Sequence, residues 1–388
     1  MSQWKVGLQG RRPCWKKTVL QVLLAGLVGG FATFASAADA PAHYRIVGYV
    51  MDAKPLPHVS ADKLDVINYA FAQLDPKGNV VFPSPIVDQT LATLVGLRKV
   101  NPGLKIIVSI GGWGADHFSD TALTDASRQH MADSAATLVE KYDVDGIDLD
   151  WEYPTLPGAG IGHRPEDKRN FSLLLETLRA RLDKLGDAHG GRHYLLSIAA
   201  ADGEFVQGIE LERVSRSLDW INLMTYDFHN SLTPTTGHHA GLHLSKLAPA
   251  DDRAGDKAVE QFLAAGVPAK KLNLGAAFYG RAFSGVNPQD NGLYQKYAKY
   301  AGDPSWRKLV ADYIDKHGYV RHWDEQAQAP YLWNAATRSF VSYEDPQSLR
   351  AKAAFVTSKG LGGVMYWEHG LDKHEELLDV LDQSLNKH

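Results

Sequence analysis

The sequence predicts an α/β protein: a (β/α)8 or TIM barrel with a small α+β insertion between its seventh and eighth strands. Three observations lead there. Eight apolar runs of strand length recur along the chain, helical patterns lie between many of them, and the connection between the last two is too long for a plain loop. The 388 residues are 44% hydrophobic and 22% charged, ordinary globular values that exclude a disordered chain and a collagen-like or coiled-coil fibre. A net charge of −4 leaves no basic surplus to neutralise a phosphate backbone, so no nucleic acid is expected as a partner.

The chain begins with a different composition. Arg11, Arg12, Lys16 and Lys17 precede an uncharged apolar run over residues 19–34, and Ala35-Ser36-Ala37 follows as an A-x-A cleavage site. Residues 1–37 therefore read as a secretory signal peptide, and the protein is expected to be secreted or periplasmic. The run is short for a bilayer span, so no membrane partner is expected after its removal. Cleavage would take away five basic residues and no acidic one, leaving 36 basic against 45 acidic and a net charge of −9. The one cysteine, Cys14, lies in the same segment. The mature chain would hold no thiol, which excludes disulfides, Cys-metal sites and cysteine nucleophiles. Residues 41–388 are expected to form the barrel domain, with a monomer as the default state.

The elements follow in order. Strands are predicted at 45–50, 65–71, 104–110, 144–153, 194–201, 220–227, 272–278 and 363–368. The runs are near-continuous rather than alternating, as in strands covered on both faces. Helical patterns cover 87–100, 127–142, 165–185, 259–265 and 347–358. In the third, Phe171, Leu174, Leu175, Leu178 and Leu182 share one face of a 3.6-residue period, and Pro165 suits its start. A doubly wound sheet would need a phosphate-binding glycine motif, and Gly158-Ala159-Gly160-Ile161-Gly162 lacks the GxGxxG spacing. Between residues 282 and 340 the chain is rich in Tyr and Trp, with turn signals at Asn287-Pro288 and Asn291-Gly292 and strand-like pieces at 319–323 and 330–333. A structureless loop of that length is uncommon in a compact domain. An insertion over residues 283–341 is expected, deepening one wall of the barrel mouth.

The fourth run carries the chemistry. Asp148, Asp150 and Glu152 are spaced by two, and on a strand that spacing puts them on one face, with successive Cα atoms roughly 6–7 Å apart. Three ionised acids on a buried strand would be costly, so mutual repulsion should keep at least one proton on the group. Glu152, the last of them, falls at the C-terminal end of the strand, where barrel active sites lie. There it can serve as a protonated general acid near neutral pH. A solvated edge does not suit Ile147, Leu149 and Trp151 on the opposite face, and a calcium loop would need turn residues and more oxygen ligands.

Asp145 to Glu152 reads DGIDLDWE, and the chain here resembles glycoside hydrolase family 18, the chitinases, with their DGxDxDWE motif. Ser109-Ile110-Gly111-Gly112-Trp113 resembles the family's SxGG motif, and Met224-Thr225-Tyr226-Asp227 its MxYD motif. Phe278-Tyr279-Gly280-Arg281 and Met365-Tyr366-Trp367-Glu368 end the last two runs as the family pattern does. The resemblance covers residues 44–385, and the insertion looks like that of the subfamily with a deep groove. Ala276-Ala277 departs from the pattern, where a proline would be typical.

The resemblance implies a chitinase that hydrolyses β-1,4 links between N-acetylglucosamine units. Glu152 would protonate the leaving oxygen and later activate water. Asp150 would hold the acetamide N–H and stabilise an oxazolinium, with Asp148 as its charge and proton partner. Tyr226 would orient the acetamide oxygen. Asp145 is expected to be structural. Aromatic rings suit the apolar faces of sugars. Trp367 resembles the family's floor under the distorted sugar, joined by a cis peptide to Glu368, and Trp113 fits the leaving-group side. Tyr49, Phe71, Met224, Asp227, Tyr279 and Arg281, also at run ends, are expected to line the cleft, whereas Trp151 should pack between barrel and helices.

His238, His239 and His243 lack a convincing carboxylate or third ligand in the pattern, so neither a metal nor another cofactor is expected. Chitin or its oligosaccharides are the implied partner. Two alternatives differ in kind. An endo-β-N-acetylglucosaminidase usually lacks the insertion. A chitin-binding lectin on the same barrel typically loses an acid that is retained here.

Overall fold

The computed structural model describes residues 43–386, so the expected leader at residues 1–37 lies outside the described residues. Strand β1 (Arg45–Met51) is followed by β2 (Val66–Leu74), with the short β3 (Val80–Val81) folding back on it. Then come β4 (Lys105–Gly111), β5 (Gly146–Asp150), β6 (Leu195–Ala200), β7 (Trp220–Leu223) and β8 (Leu272–Ala277). Next are β9 (Arg281–Ser284), β10 (Lys299–Gly302), β11 (Val320–Asp324), β12 (Ala329–Asn334) and β13 (Ser339–Ser342), and β14 (Gly363–Trp367) is last. Strands β1, β2, β4, β5, β6, β7, β8 and β14 pair in parallel, and β14 returns to β1. The ring is closed, and the fold is a (β/α)8 barrel.

Helices α1 (Val87–Gly96), α2 (Phe118–Ala122), α3 (Asp125–Tyr142), α4 (Asp167–Ala188), α5 (Leu211–Ser217), α6 (Gly255–Ala264), α7 (Trp306–Asp312), α8 (Pro346–Lys359) and α9 (Glu376–Leu385) lie between or after the strands. Local chemistry sets their ends. Thr124 and Ser127 form a capping box at α3. Asp345 caps α8, Pro346 opens it, and Gly360 closes it in the left-handed region. Phe171, Leu174, Leu175, Leu178 and Leu182 of α4 are all buried against the barrel.

Two strands stop earlier than their apolar runs. β5 ends at Asp150 rather than 153, and β7 at Leu223 rather than 227. Asp227 has φ 60°, which no ladder accommodates. The residues past each strand are thereby free to project over the mouth.

Strands β9 to β13 form a separate antiparallel sheet in the order β10-β9-β13-β12-β11, inserted between β8 and β14. It has its own core of Phe283, Val286, Leu293, Tyr331, Trp333 and Phe340. The loop after β7 is fastened to it: Thr236 donates its N–H to the Gln295 carbonyl, and His239 donates its N–H to Ser342 Oγ at 2.8 Å.

Candidate active site

One rung of the barrel gathers polar side chains around an acid. Ser109 of β4, Asp148 of β5 and Ser197 of β6 stand side by side in register. Both hydroxyls donate to Asp148, Ser109 to Oδ2 at 2.7 Å and Ser197 to Oδ1 at 2.6 Å. Tyr49 adds its hydroxyl at 2.8 Å and Asn222 its amide at 3.4 Å. Burial raises the Asp148 pKa, while these donors pull it down by favouring the charged form.

Asp150, one rung nearer the mouth, is treated differently. It is buried, and its Oδ1 has no hydrogen-bond partner. Burial, and then the charges of Glu152 and Asp148, push its pKa well up. Glu152 lies just past the strand end. Burial raises its pKa to about 7, the charge of Asp227 adds to the rise, and a hydrogen bond from the Tyr153 hydroxyl opposes it. The row therefore keeps a proton in the neutral range.

The approach of β4 to this row depends on two glycines. Gly111 and Gly112 have φ of 129° and 95°. A Cβ on Gly111 would lie 2.0 Å from the Asp150 carbonyl oxygen, and one on Gly112 would meet the Phe71 ring at 2.9 Å. Only glycine meets both demands.

Aromatic side chains gather around the row. Trp367 stacks on Phe71 with centroids 5.5 Å apart and meets Tyr49 at 5.7 Å. Tyr226, Tyr279, Met224 and Met365 belong to the same cluster. Tyr226 is buried, its hydroxyl reaches only the sulfur of Met365 at 3.7 Å, and burial followed by the charge of Asp150 raises its pKa well up. Trp113 is 58% exposed and meets the edge of Tyr153 at 6.4 Å. The peptides Ala70–Phe71, Glu152–Tyr153 and Trp367–Glu368 are cis, the last as the resemblance implies. Trp151 faces away, stacked on Phe118 at 5.3 Å and edge-on to Phe171.

A second group flanks the row. Asp227 accepts from the Tyr279 hydroxyl at 2.8 Å and from Arg281 Nε at 2.7 Å, with a further Arg281 contact. Burial works against its charge, but the ring of His239 and the Arg281 guanidinium hold Asp227 below the usual carboxylate range. Arg281 also reaches the Tyr300 hydroxyl and Asp303.

These acids and aromatics accompany a sequence match. The Glycosyl hydrolases family 18 model fits residues 45–372. The chain belongs to glycosyl hydrolase family 18. Chitinase A1 of Niallia circulans is 35% identical over 451 residues, covering 97% of this chain and 64% of the relative. Chitotriosidase-1 of Mus musculus is 35% identical over 288 residues, covering 72% and 61%. The chain thus spans less than two thirds of either relative's length. A solved family 18 N-acetylglucosaminidase from Paenibacillus barengoltzii is 42% identical with a TM-score of 0.83, covering 88% of this chain and all of that one.

Within the family 18 barrel, Tyr49 is 1% exposed, and its hydroxyl is committed to Asp148 beneath the row. Tyr279 is also buried and Arg281 nearly so, whereas Phe71, Met224, Trp113 and Trp367 keep exposed surface. Glu152 stands beyond the ladder rather than on it. Asp145 sits at the start of β5 and is bound by Arg98 and Arg192.

The histidines take separate carboxylates. His238 faces Asp324 at 3.1 Å, His239 faces Asp227 at 3.6 Å, and His243 faces Asp256 at 2.7 Å. Among the described residues no group of three or more His, Cys, Asp or Glu is placed to hold a metal ion. Ser197, Asn222 and Tyr153 carry no role in the sequence pattern, and Ser109 appears there only as the first residue of a motif. Ser109, Ser197 and Asn222 are polar side chains inside strongly apolar strand runs, and that misfit is the signal that marks them.

Proposed function

We propose that this chain is an exported chitinase. It cleaves β-1,4 links between N-acetylglucosamine units with retention, and the substrate's own acetamide is the nucleophile. The observation that carries the proposal is the distribution of free carboxylate. Ordinary retaining glycosidases place a second carboxylate opposite the acid, across the anomeric carbon. Here Asp150 and Glu152 leave the same strand end. Three other carboxylates near the mouth are held by cations, Asp227 by Arg281, Glu344 by Lys352 and Asp202 by Arg253, while Glu368 accepts the Gly370 N–H and Asp52 the Tyr69 hydroxyl. Asp150 Oδ1 alone in the row is buried without a donor, a ready acceptor for an acetamide N–H.

In this mechanism Glu152 gives its proton to the leaving oxygen. Asp150 passes its proton to Asp148 and, charged, sits against the cationic oxazolinium. Tyr226 turns its hydroxyl from Met365 to the acetamide oxygen and holds it beneath the anomeric carbon. Such positioning is worth roughly 7–11 kcal/mol as effective molarity. Glu152, now a carboxylate, draws the proton from the water that opens the ring. Trp367 and Phe71 cover the apolar face of the sugar, and Trp113 covers that of the leaving unit.

Release of single N-acetylglucosamine units is a second reading, favoured by the 42% identity to the Paenibacillus N-acetylglucosaminidase over its full length. Product analysis on chitin hexamer, with early-time NMR of the anomers, tests both. The proposal expects β product first and no cleavage of cello-oligosaccharides. Early α product, or efficient cellohexaose cleavage, would overturn it. Chain lengths decide between the readings: dimers and longer for internal cleavage, monomer alone for stepwise release.

A further inference from the structure

The residue after the acid is held by a train of contacts that ends far from the chemistry. Tyr153 hydrogen-bonds Glu152 through its hydroxyl and lays its ring on Phe205, with centroids 4.4 Å apart. Phe205 comes from the loop after β6. Over it, at 5.2 Å, stands the guanidinium of Arg253, from the segment before α6. The same guanidinium lies 4.8 Å from the ring of Phe228, the residue that follows Asp227. One cation is thus clamped between the loop that props Glu152 and the loop that carries Asp227.

Its surroundings fix it from all sides. Asp202, 6% exposed, accepts from Arg253 Nε at 2.9 Å and from a terminal nitrogen as well. Next to Asp202, Gly203 is clasped by Gln261 of α6, which accepts its N–H at 2.8 Å and donates to its carbonyl at 3.0 Å. On the other side of Arg253, Asp252 lies 3.1 Å from His229 Nε2 and accepts from the Tyr294 hydroxyl of the inserted sheet. Residues 252 and 253 therefore tie the loops after β6 and β7 to the insertion. Both rings that Arg253 touches belong to segments that lead to the acid row, Phe205 through Tyr153 to Glu152 and Phe228 directly to Asp227. Guanidinium differs from ammonium here, because its plane can lie on both rings while its edge bonds a carboxylate.

We propose that Arg253 is a positioning residue for the general acid. Through Phe205 it fixes the Tyr153 side chain, so that the Glu152 proton stays aimed at the leaving oxygen. This rests on the reading of Glu152 as the acid and adds to it a support from outside the motif.

The test compares two leaving groups. A sugar alkoxide needs the proton of Glu152, and 4-nitrophenolate leaves nearly without it. Arg253→Met should lower kcat on chitotetraose about tenfold, in the range of a misplaced catalytic group, and kcat on 4-nitrophenyl diacetylchitobioside by less than about twofold. Arg253→Lys keeps the charge for Asp202 and the attraction to the rings, and should recover part of the loss. If Arg253→Met does not fold, as judged by thermal unfolding, Arg253→Lys carries the same comparison with a smaller loss in the same direction. Equal losses on both substrates, or no loss on the tetramer, would overturn the role of Arg253. Glu152→Gln, assayed alongside, separates this from the underlying reading. Wild-type turnover of the tetramer there would overturn the acid assignment itself.

Discussion

Two sets of carboxylates sit at the same end of the barrel and differ in what faces them. Asp148, Asp150 and Glu152 at the end of β5 are met by hydroxyls and an amide, or by nothing. Asp227 and Glu344, beside β7 and β8, are met by cations, Arg281 and Lys352. Burial raises the pKa in the first set with little to counter it at Asp150 and Glu152. At Asp227 the nearby cationic groups win, and its pKa falls. The difference teaches how one mouth supports two jobs. The acids without a cation keep a proton, whereas Asp227, which has one, stays charged and holds its loop in place.

Removing the proton donor should break the first set with the largest effect. Glu152→Gln keeps the shape and cannot donate, so turnover of chitin oligomers should fall about 10²–10⁴-fold. Binding measured by calorimetry should change little. Turnover within a few-fold of wild type, in a preparation free of host enzyme, would contradict the assignment.

Removing the cation should break the second set through stability instead. Lys352 and Glu344 are both 1% exposed and 2.8 Å apart, and Lys352 also donates to the Gly275 carbonyl of β8. Burial lowers the pKa of Lys352 and raises that of Glu344, so each depends on the other for its charge. Lys352→Met leaves a buried acid alone and should cost about 3–5 kcal/mol in denaturant unfolding. The double variant with Glu344→Gln should regain part of this. A loss under about 1 kcal/mol in the single variant would show that the pair is not the clamp described.

The smallest effect sharpens the comparison at the rim. Trp113 is 58% exposed, so Trp113→Ala should leave thermal unfolding almost unchanged. It should raise KM for tetramer and longer substrates about tenfold, as expected for a lost ring face of roughly 1–2 kcal/mol. A large drop in melting temperature would mean that the indole is structural.

The sequence made much of this legible, for physical reasons that particular residues show. The barrel could be read because its strands are covered on both faces, which leaves near-continuous runs such as 104–110. α4 could be read from its inward leucines. α2, α5 and α7 are five to seven residues long and present too little of a helical period to stand out. α9 is longer, and its inward Leu377, Leu378, Leu381 and Leu385 are a pattern the strand-based reading passes over. At the site, the acid row was visible because its spacing of two is local. Ser109, Ser197, Asn222 and Tyr49 reach Asp148 from four other strands, and only register brings them together. The same holds for Arg253, whose ring partners lie 48 and 25 positions away in the chain.

The central claim is that the row at β5 holds a proton near neutrality because no cation answers it. The pH dependence of kcat/KM on chitotetraose reads this in the free enzyme. Glu152 works when protonated, so activity should be lost as pH rises through its pKa, with a basic limb near 7. Asp227→Asn removes a negative charge that favours the protonated form, so the limb should move to lower pH. A wild-type limb at the ordinary glutamate value of 4.5, or a shift to higher pH in Asp227→Asn, would contradict the account.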